Sequence, residues 1–534
     1  MMNINSKFTE NYATDVSKIY FVGSTMASLS GAFYLIRDGH VDGNQIHILD
    51  SMPFVNEASG SVLNEQRRIL IKRSIEFEHY YDNLREVLSE IPSLMNHQHS
   101  ILEEYNQFHN DNGVEAKWYV TNECGQEYKV GHQIALCPKI KQDIIQLCLR
   151  TENNIQELKI IDVFDNAFFD SDFWLYWSST FAFEKWDGAL EFRRSLLRYA
   201  HRIGPVDSLS MLEFVKYGQY DVLTIPIISY LKEKGVIFEY DTTVNNIKLE
   251  RKDDTTFAKT MCLNVNEDRE DIELSENDWV FVNNGATIET MSYGNHLDAI
   301  PKDIPLSPKW DLWRNLAQQD SLCGNPEPFL TDEKHRGWCM TAAITTANHE
   351  VRTLVKELLG NDGLEGLVTV RDSNWNMNWL VSQADDKSMV IWLYALLSDE
   401  PGNFIKKPIT ECNGKEITEE WLYHLGMHPD KVETLAAFAC DCVPTYIPNV
   451  TAILKPRKIT DRPETVPHNF ANLAFIGPYA ESKNEASFTV EYSVKTAKEA
   501  VHKMLGIYEQ DDSTGQDVDT LKEALKNNQM FSID

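Results

Sequence analysis

The apolar positions fall into short runs that alternate with helical spacing. Lys18 to Val22 is a five-residue strand-like run, Gly23 opens a turn, and apolar residues then recur at helical spacing from Met26 to Arg37. Small residues line one side of that helix. Gln45 to Asp50 is a second strand that ends on a carboxylate, so the chain opens as a βαβ unit. Residues 62–90 read as helix with charge on one face, and 141–163 as further helical and short apolar segments. A densely aromatic run, 173–186, leads into a predicted helix over 189–203. Another helix begins at Tyr220 and runs to Glu233, followed by the strand 235–240. Residues 242–283 alternate like a small sheet around a polar loop. Late in the chain, 472–481 reads as a strand and turn, with a helix over 491–505 behind it.

Composition narrows the function classes. Lys and Arg number 50 against 81 Asp and Glu, a net charge of −31. Phosphate neutralisation needs clustered cations, so nucleic acid is excluded as a general partner. Contact with an anionic membrane is at most peripheral. No apolar run reaches the roughly 18–20 residues of a membrane-spanning helix, and the N-terminal residues lack a basic and then apolar leader. The nine cysteines are scattered without a CxxC pair. They read as reduced, mostly buried thiols of a cytoplasmic protein, and no metal site is expected.

The opening βαβ carries a defective dinucleotide signature. Gly23-Ser24-Thr25-Met26-Ala27-Ser28 stands where G-x-G-x-x-G is usual. Gly23 supplies the turn, and Ala27 and Ser28 are small enough for close packing. Asp50 is placed to accept from a ribose. Thr25, however, replaces the glycine that admits the diphosphate, and its branched side chain crowds that approach or denies the dihedral it needs. A βαβ unit that binds nothing stands beside the dinucleotide reading. The strand and turn at Gly477 suit a fold that closes over an isoalloxazine ring. Val244 and Asn284-Gly285 are the expected adenine-side contacts.

Long collinear stretches carry a resemblance. They include MASLSGAFYLIRDG (26–39), FWLYWSSTFAFEKW (173–186), YGQYDVLTIPI (217–227), GNPEPF (324–329), GNFIKKPITECNGKEI (402–417), KPRKITDRPETVP (455–467) and FTVEYSVKTA (488–497). Over nearly its full length the chain resembles the oleate hydratases, also called myosin-cross-reactive antigens. The resemblance implies an α/β fold with a Rossmann-like FAD-binding domain, an interleaved mixed α/β substrate domain and a helical lid, usually as a homodimer. It divides the chain into a first βαβ (18–60), a lid or insert (61–165), a substrate segment with the meander (166–290), a substrate domain (291–440), the closure of the FAD domain (441–505) and a tail (506–534). It further implies addition of water to a cis double bond of an unsaturated fatty acid. In that reaction FAD does no net redox, a tyrosine protonates the alkene and a glutamate handles the water.

Residue by residue, the machinery departs from the family pattern. The family's glutamate segment commonly reads RGGREME; here Glu76 falls on the catalytic position, while Arg73 and Ser74 replace the glycines that approach the flavin. Ser195 takes the place of the proton-donor tyrosine and is a far weaker acid. Tyr199, one helical turn on, could supply a phenol, with core packing the favoured alternative. The head-group anchors become Leu380, Ser382 and Asp386, and the glutamine of the substrate-orienting motif persists as Gln219. Leu380 cannot hydrogen-bond, and Asp386 repels a carboxylate unless Lys387 compensates. The resemblance therefore implies an FAD-dependent hydratase or double-bond isomerase with weakened or lost FAD, or else a lipid-binding or regulatory paralogue without turnover.

Overall fold

The computed structural model describes residues 16–51, 76–78, 81–94, 96–112, 117–126, 128, 134–135, 137–199, 212–214, 223–266, 268–287, 289–301, 304–330, 337–360, 366–384, 387–396, 399–483, 485–507 and 531–532. Gln219, Asp386, Arg73, Ser74 and most of the 506–534 tail lie outside them.

Two sheets organise the chain. The first has five strands in the spatial order Leu473–Ile476, Trp279–Asn283, Ile19–Val22, Ile46–Leu49, Ile237–Glu239. All four pairings are parallel. A parallel sheet is covered on both faces, which is why its strands are continuous apolar runs. Ile19 and Phe21 point to one side, against the helices Met26–Arg37 and Val490–Met504. Tyr20 and Val22 point to the other, against a three-stranded antiparallel meander and the helix Pro308–Gln319. Gly31 permits the first helix to lie close: a Cβ there would sit 2.6 Å from Phe21 Cε1. The α/β class, the opening βαβ and the meander stand as the sequence pattern implies.

The second sheet has seven strands, in the order Ser292–Tyr293, Cys440–Ile447, Cys339–Thr346, Met389–Leu396, Met377–Ala384, Gly366–Val370, Lys117–Thr121. Only the last pairing is parallel. It gathers strands from either side of residues 165 and 440. One face packs on the helices Gly414–His424 and Pro429–Ala439, through Ile344, Leu393 and Trp379 against Ile417, Trp421 and Val432. The other carries Leu367, Leu380, Trp392 and Tyr394 and faces the aromatic helices Asp172–Phe181 and Ala189–Tyr199.

One expected helix is corrected. Glu76–Glu78 is a short strand paired antiparallel with Leu212–Phe214, and among the described residues of 62–90 the helix is Asp82–Glu90. The tripeptide Glu-Phe-Glu alternates polar and apolar, a two-residue period that suits a strand. All nine cysteines are free thiols, six of them buried.

A buried ion network ties the second aromatic helix to the chain's C-terminal part. Glu191 Oε1 lies 2.9 Å from Arg457 Nη2 and 3.4 Å from Arg462 Nη1, and its Oε2 accepts from Ser487 at 2.9 Å. Glu481 pairs with Arg194 at 2.6 Å and with Arg457 at 2.9 Å, and Arg194 also meets Glu152 at 2.8 Å. Burial opposes the charge on Glu191, but Arg462, Arg457 and Arg194 outweigh it and bring its pKa from 4.5 down to about 2. The stability this depressed pKa contributes is therefore complete above pH 4.5 and is lost as pH falls toward 2. Glu191→Gln strands buried guanidinium charge. It should cost about 3–5 kcal/mol in urea unfolding at pH 7 and shrink the acid dependence in that window. A loss within the error of the measurement would show that the network is not stabilising.

Candidate functional site

The first sheet ends in two glycine turns that face one another across the strand Trp279–Asn283. Gly23, with φ +97°, follows the first strand and bonds back from its N–H to Leu49 O at 2.8 Å. Gly477, with φ +85°, follows the last strand; a Cβ there would lie 1.9 Å from Asn283 Oδ1, so only glycine fits. Its N–H donates to Thr496 Oγ1 at 2.9 Å, which anchors the turn to the helix behind it.

The defect in the fingerprint has a definite geometry. Thr25 is extended, at φ −100° and ψ 174°, so the backbone accepts the branched residue without strain. Its hydroxyl is buried and has no partner. Ser28 donates to Gly23 O. Asp50, 2% exposed, turns its Oδ2 inward, where it accepts from the Ser24 N–H and, at 2.9 Å, from the Ser24 hydroxyl. The carboxylate expected at a ribose thus also holds the phosphate turn.

Beside this turn opens a chamber of about 390 Å3, within the roughly 300–1,000 Å3 range of small-molecule sites. The near face of the seven-stranded sheet is its floor. Strand alternation and register place three cross-strand rows there: Leu367, Leu380 and Trp392; Tyr394, Thr341 and Thr445; Leu396, Cys339 and Ile447. The roof is Ser179–Ala182, Tyr199 and Ser487–Val490, and the dinucleotide end is Thr25, Met26, Asn283 and Gly285. Ala182 ends the aromatic helix in the left-handed region, at φ +58°. Lys309 is the one cationic side chain among the described residues of the wall. A much smaller groove of about 20 Å3 lies on the other side of Gly23 and is walled by Asp50, Val244 and Lys309.

The expected site residues divide between these places. Gly23, Asp50 and Val244 line the small groove, whereas Thr25, Met26 and Gly285 line the chamber. Ala27 is buried in the first helix. Asn284 is 1% exposed, with both amide atoms unpartnered. Tyr199 lines the chamber and stacks on Phe181 at 4.6 Å between ring centres. Ser195 does not line it: its hydroxyl donates to Phe192 O at 2.7 Å and accepts from Trp177 Nε1 at 3.2 Å. Leu380 lies on the floor, and Ser382 stands where the strand register shifts. Glu76 pairs through its backbone with Phe214. Sequence reasoning named Leu380 but missed the rest of the floor, although the alternation in MVIWLYAL (389–396) signals it, and missed Lys309 and Glu289, whose surroundings carry no local signal.

The donor set fits FAD in part. The chamber accepts a ring, the glycine turns stand on either side of Asn283, and buried unpartnered Thr25 Oγ1 and Asn284 offer polar contacts. The diphosphate path, by contrast, holds the Lys309 side chain. Because that lysine is already ion-paired with Glu289 at 2.6 Å, the chamber offers no uncommitted cation to a fatty acid among its described wall residues. A long-chain alcohol or amide should therefore bind at least as well as the matching acid at pH 7, and lowering the pH should favour the acid. Calorimetry with matched chains checks this; clear preference for the ionised acid would overturn it.

Comparison with known proteins places the chain. Residues 16–502 match the model of the MCRA family. The chain is 34% identical over 505 residues to an oleate hydratase of Streptococcus pyogenes serotype M49 (strain NZ131), covering 92% of this chain and 85% of that one. It is 23% identical over 543 residues to a linoleate hydratase of Lactiplantibacillus plantarum, covering 92% and 94%. Among solved structures, cyclohexylamine oxidase from Brevibacterium oxydans IH-35A superposes with a TM-score of 0.50 at 9% identity, over 92% of this chain and 99% of that one, a likeness of fold. Family match, curated relatives and fold agree with the βαβ unit, the paired glycine turns and the apolar chamber beside them: the chain belongs to the MCRA family.

Proposed function

We propose that the protein adds water to, or shifts, a double bond of an unsaturated fatty acid or a related apolar substrate, with FAD bound at the two glycine turns. The carrying observation is the chamber itself. It is floored by Leu367, Leu380, Trp392 and Leu396, it reaches the dinucleotide turn, and it has a phenol, Tyr199, in its wall. An isolated alkene is a weak base, so a positioned acid and a positioned water must share the barrier. Tyr199 holds the proton that passes to one alkene carbon while water bonds to the other. Glu76, by its place in the family pattern, takes the proton the water sheds and returns it. Bound FAD would organise the ring end of the chamber without net redox. Gly23, Thr25, Gly285 and Gly477 would hold it. The family resemblance also supports a cytoplasmic homodimer; no described helix is long and apolar enough to cross a membrane.

One observation favours a second reading, a lipid-binding paralogue without turnover. Ser195, at the family's tyrosine position, is held by Trp177 and Phe192 away from the chamber wall. Oleic acid incubated with the protein and reduced FAD in heavy-oxygen water decides between them by mass spectrometry. Slow formation of labelled 10-hydroxy acid is expected, with Tyr199→Phe reducing it by about 100-fold or more. Product undiminished in Tyr199→Phe would remove Tyr199 as the acid. Tight binding of the acid without any product would establish the paralogue.

A further inference from the structure

Lys309 stands where the two cavities meet. It lies in the first turn of the helix Pro308–Gln319, and its side chain is 12% exposed. The ammonium is 2.6 Å from Glu289 Oε1 and 3.6 Å from Asp50 Oδ2. A Cβ on Gly23 would lie 3.3 Å from both Lys309 Cε and Nζ, so the ammonium covers the turn that a dinucleotide diphosphate must approach. Lys309 and Glu289 each line both the chamber and the small groove. The pair is thus a partition between the chamber, which accepts a ring, and the turn at Gly23 that a diphosphate would have to approach.

The partition is built to hold. Glu289 Oε2 accepts from the hydroxyl of Ser307, the N-cap of the helix that carries Lys309, so the carboxylate is fixed relative to its partner. Asn283 closes the other side of the turn, 4% exposed and with its Oδ1 unpartnered. Among the described residues, one ammonium stands against the two carboxylates of Glu289 and Asp50. A diphosphate is repelled while the pair is closed and attracted once the ammonium is released to it.

We propose that Glu289 is a latch that holds Lys309 across the cofactor cleft, and that Lys309 is the cation that receives the dinucleotide diphosphate when the latch opens. The inference rests on the FAD reading above, and diphosphate and Glu289 compete for one ammonium. The competent, unlatched state is then a minor one, and apparent affinity is reduced by its population. Such a latch would weaken FAD binding without strain at Thr25, whose backbone is extended and relaxed.

The test is calorimetric titration with ADP, which carries the diphosphate without the flavin, and separately with FAD. Wild type, Glu289→Gln and the double variant Glu289→Gln/Lys309→Met are compared, with thermal melts to confirm folding. Glu289→Gln should bind both ligands about tenfold more tightly, and the double variant should lose that gain. Glu289→Asp, which lengthens the pair, should fall between, and it serves if the glutamine variant does not fold. Unchanged or weaker binding in the single variants overturns the latch, as does a gain that survives loss of Lys309. A variant that tightens oleate binding but neither nucleotide also overturns it, by making Lys309 a fatty-acid anchor. If ADP follows this pattern while FAD binds none of the proteins, the latch stands and the FAD reading falls. If wild type binds FAD tightly and Glu289→Gln changes nothing, the reverse holds.

Discussion

The structure depends on a buried charge network that cannot be left half made. Glu191 is 1% exposed and meets two guanidinium groups. Removing such an ion from water is repaid only if its partners are all present. Its partners come from distant places: Arg457 and Arg462 from the segment before the last strand of the first sheet, and Ser487 from the turn after it. Arg194, one turn from Glu191, reaches Glu481. The network therefore locks the aromatic helices to the closing strand and helix of the dinucleotide domain.

That lock sets the chamber wall. Arg462 donates to Ile453 O and to Ser487 Oγ, and both Ile453 and Ser487 line the cavity. Glu491, on the closing helix, accepts from the N–H groups of Asn83 and Leu84 and so holds the start of the helix Asp82–Glu90. Tyr492 bridges Ala480 O and Ser482 N–H. The segments that carry the family resemblance most clearly, 455–467 and 488–497, thus do scaffold work. That scaffold role and a serine at position 195 are compatible, because different physical demands act on them. The scaffold requires every ion of a buried cluster, whereas the reaction requires one acid at one point of the chamber.

Two cavities of very different size share the Lys309–Glu289 partition. The apolar floor suits a long chain, the glycine turns suit a cofactor, and the partition decides whether the two are joined. Its electrostatics are local and switchable, in contrast to the buried network, whose carboxylates and guanidinium groups are paired in several directions at once.

Much of this was legible in the sequence. The apolar run 18–22, the helical spacing of 26–37 and the strand ending at Asp50 depend on neighbours along the chain, and they fold where the pattern places them. So do the meander and the closing helix, because period-two and period-3.6 burial are properties of the local sequence. Glu76–Glu78 did not follow the longer pattern, since these three residues are decided by a strand partner more than 130 residues away, at Leu212–Phe214. The site was legible only in its glycine turns. That Tyr199 reaches the chamber while Ser195 bonds inward depends on how a helix rotates against Trp177, Phe181 and Phe488. The ion pair over Gly23 joins residues 289 and 309 to residues 23 and 50. A charge in sequence reads as a solvated face, and only tertiary packing, by excluding water from that cleft, turns it into part of a binding site.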